Sequence, residues 1–531
     1  MDPLEQQQQL LRNLSESGHF PHTAPSVKHI DTHISTVLLV GEHAYKFKKP
    51  LDLGFLDFSS IESRKRFCAA ELEINRALAP GIYLNLATVR GSLDEPWIDN
   101  DGDNDDGSVL EYAVHMRRFD RDRQLDRLLE AGRLPITAMD EVGRTVARFH
   151  ESTERAGQDS EHGTPEQVLA PMLANFKALA PSAEDDSGRR EQLRELESWT
   201  RSSAERLRTL IARRQHEGYV RACHGDMHLG NMVYVEDEHG EEKLAVFDGI
   251  EFNASLRWID VASEIAFVTM DLHARGASGH AHRVLDTYLD HRDDFGLLRL
   301  LPFYQVYRAL VRAKVNAIHA AETGLDAVER RQCDDEVERY LALADRLRAP
   351  THPGLILMHG VSGTGKTVVS TEILQRLGAV RLRSDIERKR MMGLEPESRP
   401  TSEQEASMYS EKGIQAVYQH LLVLADDLLQ QGQLVIVDAT FLEKDQRRPF
   451  QELARERNAG FAIVACVANP EILRERLTVR AQNGSDASDA GVEVMEGQLP
   501  RAETPGDDEP VVTTGPETPL AWNTLEELLR R

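Results

Sequence analysis

Asp226 and Asn231 stand five residues apart in the stretch Ala222-Cys223-His224-Gly225-Asp226-Met227-His228-Leu229-Gly230-Asn231. At that spacing a carboxylate can accept the proton of an attacking hydroxyl while an amide oxygen reaches back to a magnesium ion, which is the chemistry of phosphoryl transfer. Downstream, Lys243-Leu244-Ala245-Val246-Phe247 reads as a short buried strand that ends on Asp248-Gly249-Ile250-Glu251 and so delivers a second carboxylate for the metal. Oxygens from Asn231 and Asp248 suit magnesium, which takes few protein ligands and completes its shell with phosphate oxygens and water. His228 and Glu251 flank these positions as candidates for contacting substrate or assisting the metal.

A second constellation begins at Leu355-Ile356-Leu357-Met358-His359, a buried strand. Gly360-Val361-Ser362-Gly363-Thr364-Gly365-Lys366-Thr367 follows it and opens a helix through Leu377, the strand, loop and helix of a phosphate-binding loop. Glycines let backbone N–H groups wrap phosphates, and the helix N-terminus adds partial positive charge. Lys366 then meets the β and γ phosphates, and Thr367 holds magnesium. Asp385, at the end of a strand over Ala379-Arg383, can orient or deprotonate a hydroxyl, and Arg388 one turn later can hold an anionic part of the acceptor. Leu434-Val437 is another parallel strand, ending on Asp438, which positions the metal or its water. On the helix after a third strand, 461–467, Arg474, Arg476 and Arg480 are placed to close over the terminal phosphate.

Elements that must position the first group lie upstream. Val37-Val40 and His43-Lys48 form a β-hairpin around Gly41-Glu42. On a helix over 62–79, Glu71 shares the inward face of Ile74 and Leu78, whereas Glu73 is turned away. Strand alternation separates Lys46 and Lys48 from Phe47 but not from each other. Residues 137–155 and 166–217 read as helices, the second broken at Pro181-Ser182, and its Glu and Arg spacing describes a solvated face. Asp99-Gly107 reads as a solvated hairpin turn, because a calcium loop starting at Asp101 would have Asp106 and Tyr112 where Gly and Glu are needed. A short helix begins at Asp2-Pro3 and ends at Gly18.

His-Gly-Asp-x-His-x-x-Asn followed by Asp-Gly-x-Glu resembles the aminoglycoside phosphotransferase and choline kinase superfamily, over about residues 25–345. The resemblance implies a two-lobed protein-kinase-like fold, with Lys46 on ATP phosphates and paired to Glu71. It further implies a hinge near Met116 and Arg117 for the adenine, Asp226 as base, and Asp260 bracing the loop. The second constellation resembles the small-molecule and polynucleotide kinase group of P-loop proteins. Together they resemble bacterial bifunctional proteins, a phosphotransferase-like domain fused to a P-loop ATPase or kinase. The expected division is 1–24 extension, 25–347 kinase-like domain, 348–353 linker and 354–531 P-loop α/β domain with a parallel sheet. Residues 483–519, rich in Gly, Ser, Asp and Pro, read as a lid or loop before a final helix near Leu520.

At 531 residues the chain has room for two or three cores. A charge of −25 argues against a broad nucleic-acid or anionic-membrane footprint, and no apolar run of 18 or more residues exists to span a bilayer. Cys68, Cys223, Cys333 and Cys466 lie far apart without metal-ligand spacing and read as reduced thiols. Acid at the N-terminus is unlike a signal peptide, so a cytoplasmic protein is expected. The expected partners are ATP, Mg2+ and a hydroxyl-bearing small molecule in each domain. Two alternatives stay open: a P-loop ATPase regulated by a ligand-sensing first domain, and a polynucleotide 5′-hydroxyl kinase.

Overall fold

The computed structural model describes all residues except 1, 18, 23–25, 55, 101–108, 238, 322–324, 484–490, 507 and 531. The expected turn at 99–107 therefore lies mostly outside the described residues. The chain forms two compact units: Met1–Asp271 with Phe303–Ala344, and Leu272–Pro302 with Asp345–Arg531. Among the described residues no helix is long and apolar enough to cross a membrane.

Apolar residues at alternate positions build the first unit's main sheet. Its strands are β1 (Val27–Asp31), β2 (Ser35–Val40), β3 (His43–Lys48), β4 (Tyr83–Gly91), β5 (Pro96–Asp99) and β6 (Glu111–Arg117), antiparallel in the order β1-β2-β3-β6-β4-β5. Val40 pairs with His43 across the tight turn of the expected hairpin. One face of the sheet carries Tyr45, Phe47 and Ala113 and packs with Leu10, Leu11 and Leu14 of helix Pro3–Ser17. Val114, on the other face, packs with Cys68 and Leu72 of helix Ile61–Arg76. That helix starts where the Ser60 side chain accepts from the Ser63 N–H, satisfying one of its orphan donors. A mostly helical part follows, interrupted by two small antiparallel pairs: β7 (Val220–Ala222) with β10 (Trp258–Asp260), and β8 (Met232–Glu236) with β9 (Glu242–Val246). This is the two-lobed arrangement that the motifs imply.

The second unit is built on a parallel sheet of β11 (Gly354–His359), β12 (Val380–Arg383), β13 (Leu434–Asp438), β14 (Gly460–Cys466) and β15 (Val511–Thr514), in the order β12-β13-β11-β14-β15. Every residue of β11 is buried, as a central parallel strand covered on both faces requires. The described residues of the stretch 483–519 include regular structure that its composition does not suggest. They contain helix Val492–Gln498 and the edge strand β15, whose Val512 is buried in the sheet's core, before the closing helix Trp522–Leu529. Helix Ser278–Arg292 also belongs to this unit and packs on helix Lys366–Leu377.

Candidate functional site

In the first unit β3 presents Lys46 and Lys48 to the face opposite Phe47, and both amines meet Glu71. Lys46 Nζ donates to Glu71 Oε1 at 2.8 Å and to Asp248 Oδ1 at 2.5 Å. Lys48 Nζ donates to Glu71 Oε2 at 2.7 Å and to Glu251 Oε1. Two lysines therefore share one carboxylate, which is the ambiguity strand alternation left open. Burial opposes charge on Glu71, yet the two ammonium groups outweigh it and hold its pKa at about 2. Burial likewise works against a charged Lys46, but Asp248 and Glu71 raise its pKa well above the usual lysine value. Glu251 is buried against Lys48 rather than turned out as a metal ligand, and burial raises its pKa.

Asp248 adopts φ +65°, a left-handed backbone that non-glycine residues rarely take. The Tyr83 hydroxyl accepts from its N–H at 3.0 Å, and the Asn75 side chain accepts from the Gly249 N–H at 2.8 Å, so helix Ile61–Arg76 and β4 hold the turn in place. With 48% of its side chain exposed, Asp248 remains open to a ligand.

The loop after β7 carries Asp226. Asn231 Nδ2 donates to Asp226 O at 2.9 Å and to Asp226 Oδ2 at 3.2 Å, so the amide's oxygen is the atom that can serve as a metal donor. Burial penalises the Asp226 carboxylate, but His228, at 3.6 Å, together with Arg312 and His224 keeps it well below the ordinary range and ionised. The oxygens of Asn231 and Asp248 are hard neutral and anionic donors of the kind magnesium takes.

Bracing of this loop falls to residues that the motifs do not single out. Glu264 accepts from the backbone N–H of His224 at 3.1 Å and of Gly225 at 2.6 Å, and it pairs with His150 at 3.0 Å. Asp271 accepts from the Leu229 N–H, and Arg308 donates to Gly225 O at 3.0 Å. Asp260, expected in the bracing role, instead accepts a two-pronged ion pair from Arg214 at 2.8 and 2.9 Å and caps the next helix at Ala262 N. At the expected hinge the Arg117 N–H donates to Ile82 O at 2.8 Å, so that donor is already taken up within the lobe.

In the second unit one cleft of about 280 Å3 is lined by Ser362, Gly363, Gly365, Lys366, Thr367, Arg383, Asp385, Arg388, Asp438 and Arg476. Gly360 has φ +139°, and a Cβ there would sit 2.5 Å from Cys466 O, so glycine is required for both reasons. Gly365 caps helix Lys366–Leu377, whose first residues Lys366, Thr367 and Val368 line the cleft. Lys366 Nζ donates to Gly360 O and Val361 O at 2.8 and 3.1 Å. Thr364 Oγ1 donates to Val361 O inside the loop. Asp438 ends β13 nearby and accepts from Ser370 Oγ at 3.0 Å. Thr367 and Asp438 supply oxygens on the same side, a donor set that fits magnesium. Arg388 Nη1 donates to Asp385 Oδ1 at 2.8 Å, so this acid and base pair sits as one unit on helix Ser384–Met391. Arg476 reaches Gly363 O at 3.4 Å, whereas Arg474 is engaged with Glu496. The Arg480 side chain lies outside the described residues. Gln498 and Arg501, from the stretch expected to be a loop, also line the cleft, and Gln498 accepts from the Ser362 N–H at 2.8 Å.

Residues 355–505 match the family model described as AAA domain. An uncharacterized protein of Mycobacterium tuberculosis (strain ATCC 25618 / H37Rv) is 28% identical over 459 residues, covering 86% of this chain and 87% of that protein. Among solved structures, Plasmodium vivax ethanolamine kinase is similar over 61% of this chain and 82% of its own, with 11% identity and a TM-score of 0.36. A gluconokinase from Sinorhizobium meliloti 1021 is similar over 34% of this chain and 91% of its own, with 21% identity and a TM-score of 0.23.

Proposed function

We propose that the chain is an ATP-dependent phosphotransferase with two separate transfer sites, each moving the γ-phosphoryl of ATP to a hydroxyl of a small molecule. One observation carries the reading for the first unit: Lys46 bridges Glu71 and Asp248 at 2.8 and 2.5 Å, while Asp226 and Asn231 are joined by a hydrogen bond. These contacts support a reading in which phosphate positioning, a base and metal oxygens come from one group of residues.

Lys46, fixed by Glu71, binds the phosphate tail, and its charge offsets that of the transferring group. Asp226, ionised at neutral pH, accepts the proton from the acceptor hydroxyl as the oxygen attacks phosphorus. His228 beside it orients the acceptor. In the second unit Lys366 and the loop N–H groups hold the triphosphate, Asp385 takes the hydroxyl proton, and Arg388 fixes both Asp385 and an anionic group of the acceptor. Magnesium on Asn231 with Asp248, and on Thr367 with Asp438, would neutralise phosphate charge at the two sites. The compact cleft around Asp385 and the overall charge of −25 favour a metabolite over a polynucleotide as acceptor.

The test compares the full chain with Asp226→Asn and Lys366→Ala variants, incubated with Mg-ATP and a metabolite extract and read by mass spectrometry. Each variant should lose one phosphorylated product and keep the other. If Asp226→Asn forms every product at the parent rate, Asp226 is not the base; if Lys366→Ala also removes every product, the first unit is not a transferase, and the reading becomes a P-loop enzyme regulated by a ligand-sensing unit.

A further inference from the structure

On the face of the main sheet opposite Lys46, three histidines converge that the transfer chemistry does not use. His43 begins β3 and shares a face with Tyr45 and Phe47, and His115 on β6 pairs in register with Tyr45. His22 comes from the segment before β1, and its ring lies flat on that of His43 with centroids 3.5 Å apart. One ring nitrogen from each of the three lies within 4.8 Å of the others.

The hydrogen bonds fix which nitrogens of His115 and His43 carry lone pairs, while His22 Nε2 accepts from Asn100 Nδ2 at 3.4 Å. Asn85 Nδ2 donates to Asn100 O at 2.9 Å, which turns Asn85 Oδ1 toward His115 Nδ1 at 2.7 Å. An amide oxygen only accepts, so His115 holds its proton on Nδ1 and bares a lone pair on Nε2. That lone pair faces His43 Nδ1 at 2.9 Å. Metal-binding histidines are commonly arranged in this way, the far nitrogen tied to an oxygen acceptor that sets tautomer and ring angle. Burial lowers the pKa of all three, His115 to about 4, so the rings are neutral and able to ligate at physiological pH.

We propose that His22, His43 and His115 hold one divalent transition-metal ion, zinc, nickel or cobalt in kind, with solvent completing its shell. Imidazole nitrogen selects these ions over magnesium and calcium, which prefer oxygen. With bonds of about 2.0–2.1 Å, tetrahedral ligands stand about 3.4 Å apart. His22 and His43 open from their stack, and His43 Nδ1 gives up its hydrogen bond to His115 by shifting its proton to Nε2. The consequence is structural. The ion ties the segment carrying His22, whose neighbour His19 accepts from the Ile98 N–H, to the two strands that bear Lys46 and lead out of the small lobe.

The experiment uses the full chain, stripped with a chelator and then titrated with Co2+ and Zn2+, with metal content by mass spectrometry and the visible ligand-field spectrum of Co2+ as readouts. The parent should bind one equivalent with a nitrogen-ligated spectrum and gain thermal stability. His43→Ala and His22→Ala should lose that equivalent, the latter on a loop position that leaves the sheet intact, and Asn85→Ala should bind roughly tenfold to a hundredfold more weakly. A parent that binds neither ion, or a His22→Ala chain that retains the same equivalent and spectrum, overturns the proposal.

Discussion

Asp290 Oδ2 accepts a hydrogen bond from Arg383 Nη1 at 3.2 Å, tying helix Ser278–Arg292 to the end of β12 where the second unit's cleft begins. One turn earlier, Asp286 pairs with Arg381 at 2.5 Å, also buried. Four charges thus lie in one seam beside the site. Burial and the neighbouring Asp286 push Asp290 up to about 6, against the pull of Arg383 and Arg381.

Because the folded chain holds the Asp290 proton more tightly than the unfolded chain, whose value is near 3.8, the unfolded state binds fewer protons across that interval. This group's contribution to stability is therefore complete below about pH 4 and lost as pH rises through about 6. Urea unfolding of the parent and Asp290→Asn should show the parent losing stability relative to the variant over that window. A relative gain would contradict the assignment. Asp290→Ala, which removes the carboxylate paired with Arg383, should lower stability at neutral pH by less than a lone buried charge would, because Asp438, Asp286 and Asp385 also act on Arg383.

Glu71 carries the opposite sign. Its pKa is held near 2, so its stabilisation is present above about pH 4.5 and lost as pH falls through about 2. Glu71→Ala leaves the ammonium groups of Lys46 and buried Lys48 without their shared partner, a loss of about 3–5 kcal/mol. Nucleotide binding by the first unit should fall with it, whereas binding by the second unit is retained. Fluorescent ATP-analogue titration of Glu71→Ala alone and combined with Lys366→Ala separates the two.

Asp226→Asn keeps the size of the side chain and the contact to Asn231 but removes the base. First-unit product formation should fall by about 10²–10⁴ in kcat with nucleotide KM little changed, as expected for loss of a proton acceptor. Steady-state kinetics of that product check it, and an unchanged kcat would show that another group takes the proton.

Much of this architecture is legible in the chain because it rests on local rules. An unbroken apolar run followed by Gly360-Val361-Ser362-Gly363-Thr364-Gly365-Lys366-Thr367 specifies strand, loop and helix within one window, and Gly360 must be glycine for a steric reason. The inward face that Glu71 shares with Ile74 and Leu78 likewise directs it to β3. What escaped was set by long-range packing. Val511–Thr514 is a four-residue edge strand in a polar stretch, held by pairing with β14 rather than by its own pattern. Glu264 stands 40 residues from His224 on a helix without a motif, so nothing local marks it as the acceptor for two loop N–H groups. The family resemblance implies bracing by Asp260, but Arg214, 46 residues upstream, pairs with both its oxygens.

Glu264 yields the last prediction. Its carboxylate accepts from His224 N–H, Gly225 N–H and buried His150, and these contacts outweigh burial and keep its pKa low. Glu264→Gln preserves volume and one accepting oxygen, but its amide N–H must face either a backbone N–H or His150. The loop bearing Asp226 then shifts, and misplacement of about 1 Å costs about 10²-fold in rate. A loss of kcat in the first unit with KM for ATP unchanged is the expected split, because Glu264 touches the loop and not the Lys46, Glu71 and Asp248 group. If KM for ATP rises while kcat holds, the loop is positioned by Arg308 and Asp271 without Glu264, and the bracing assigned to it here is wrong.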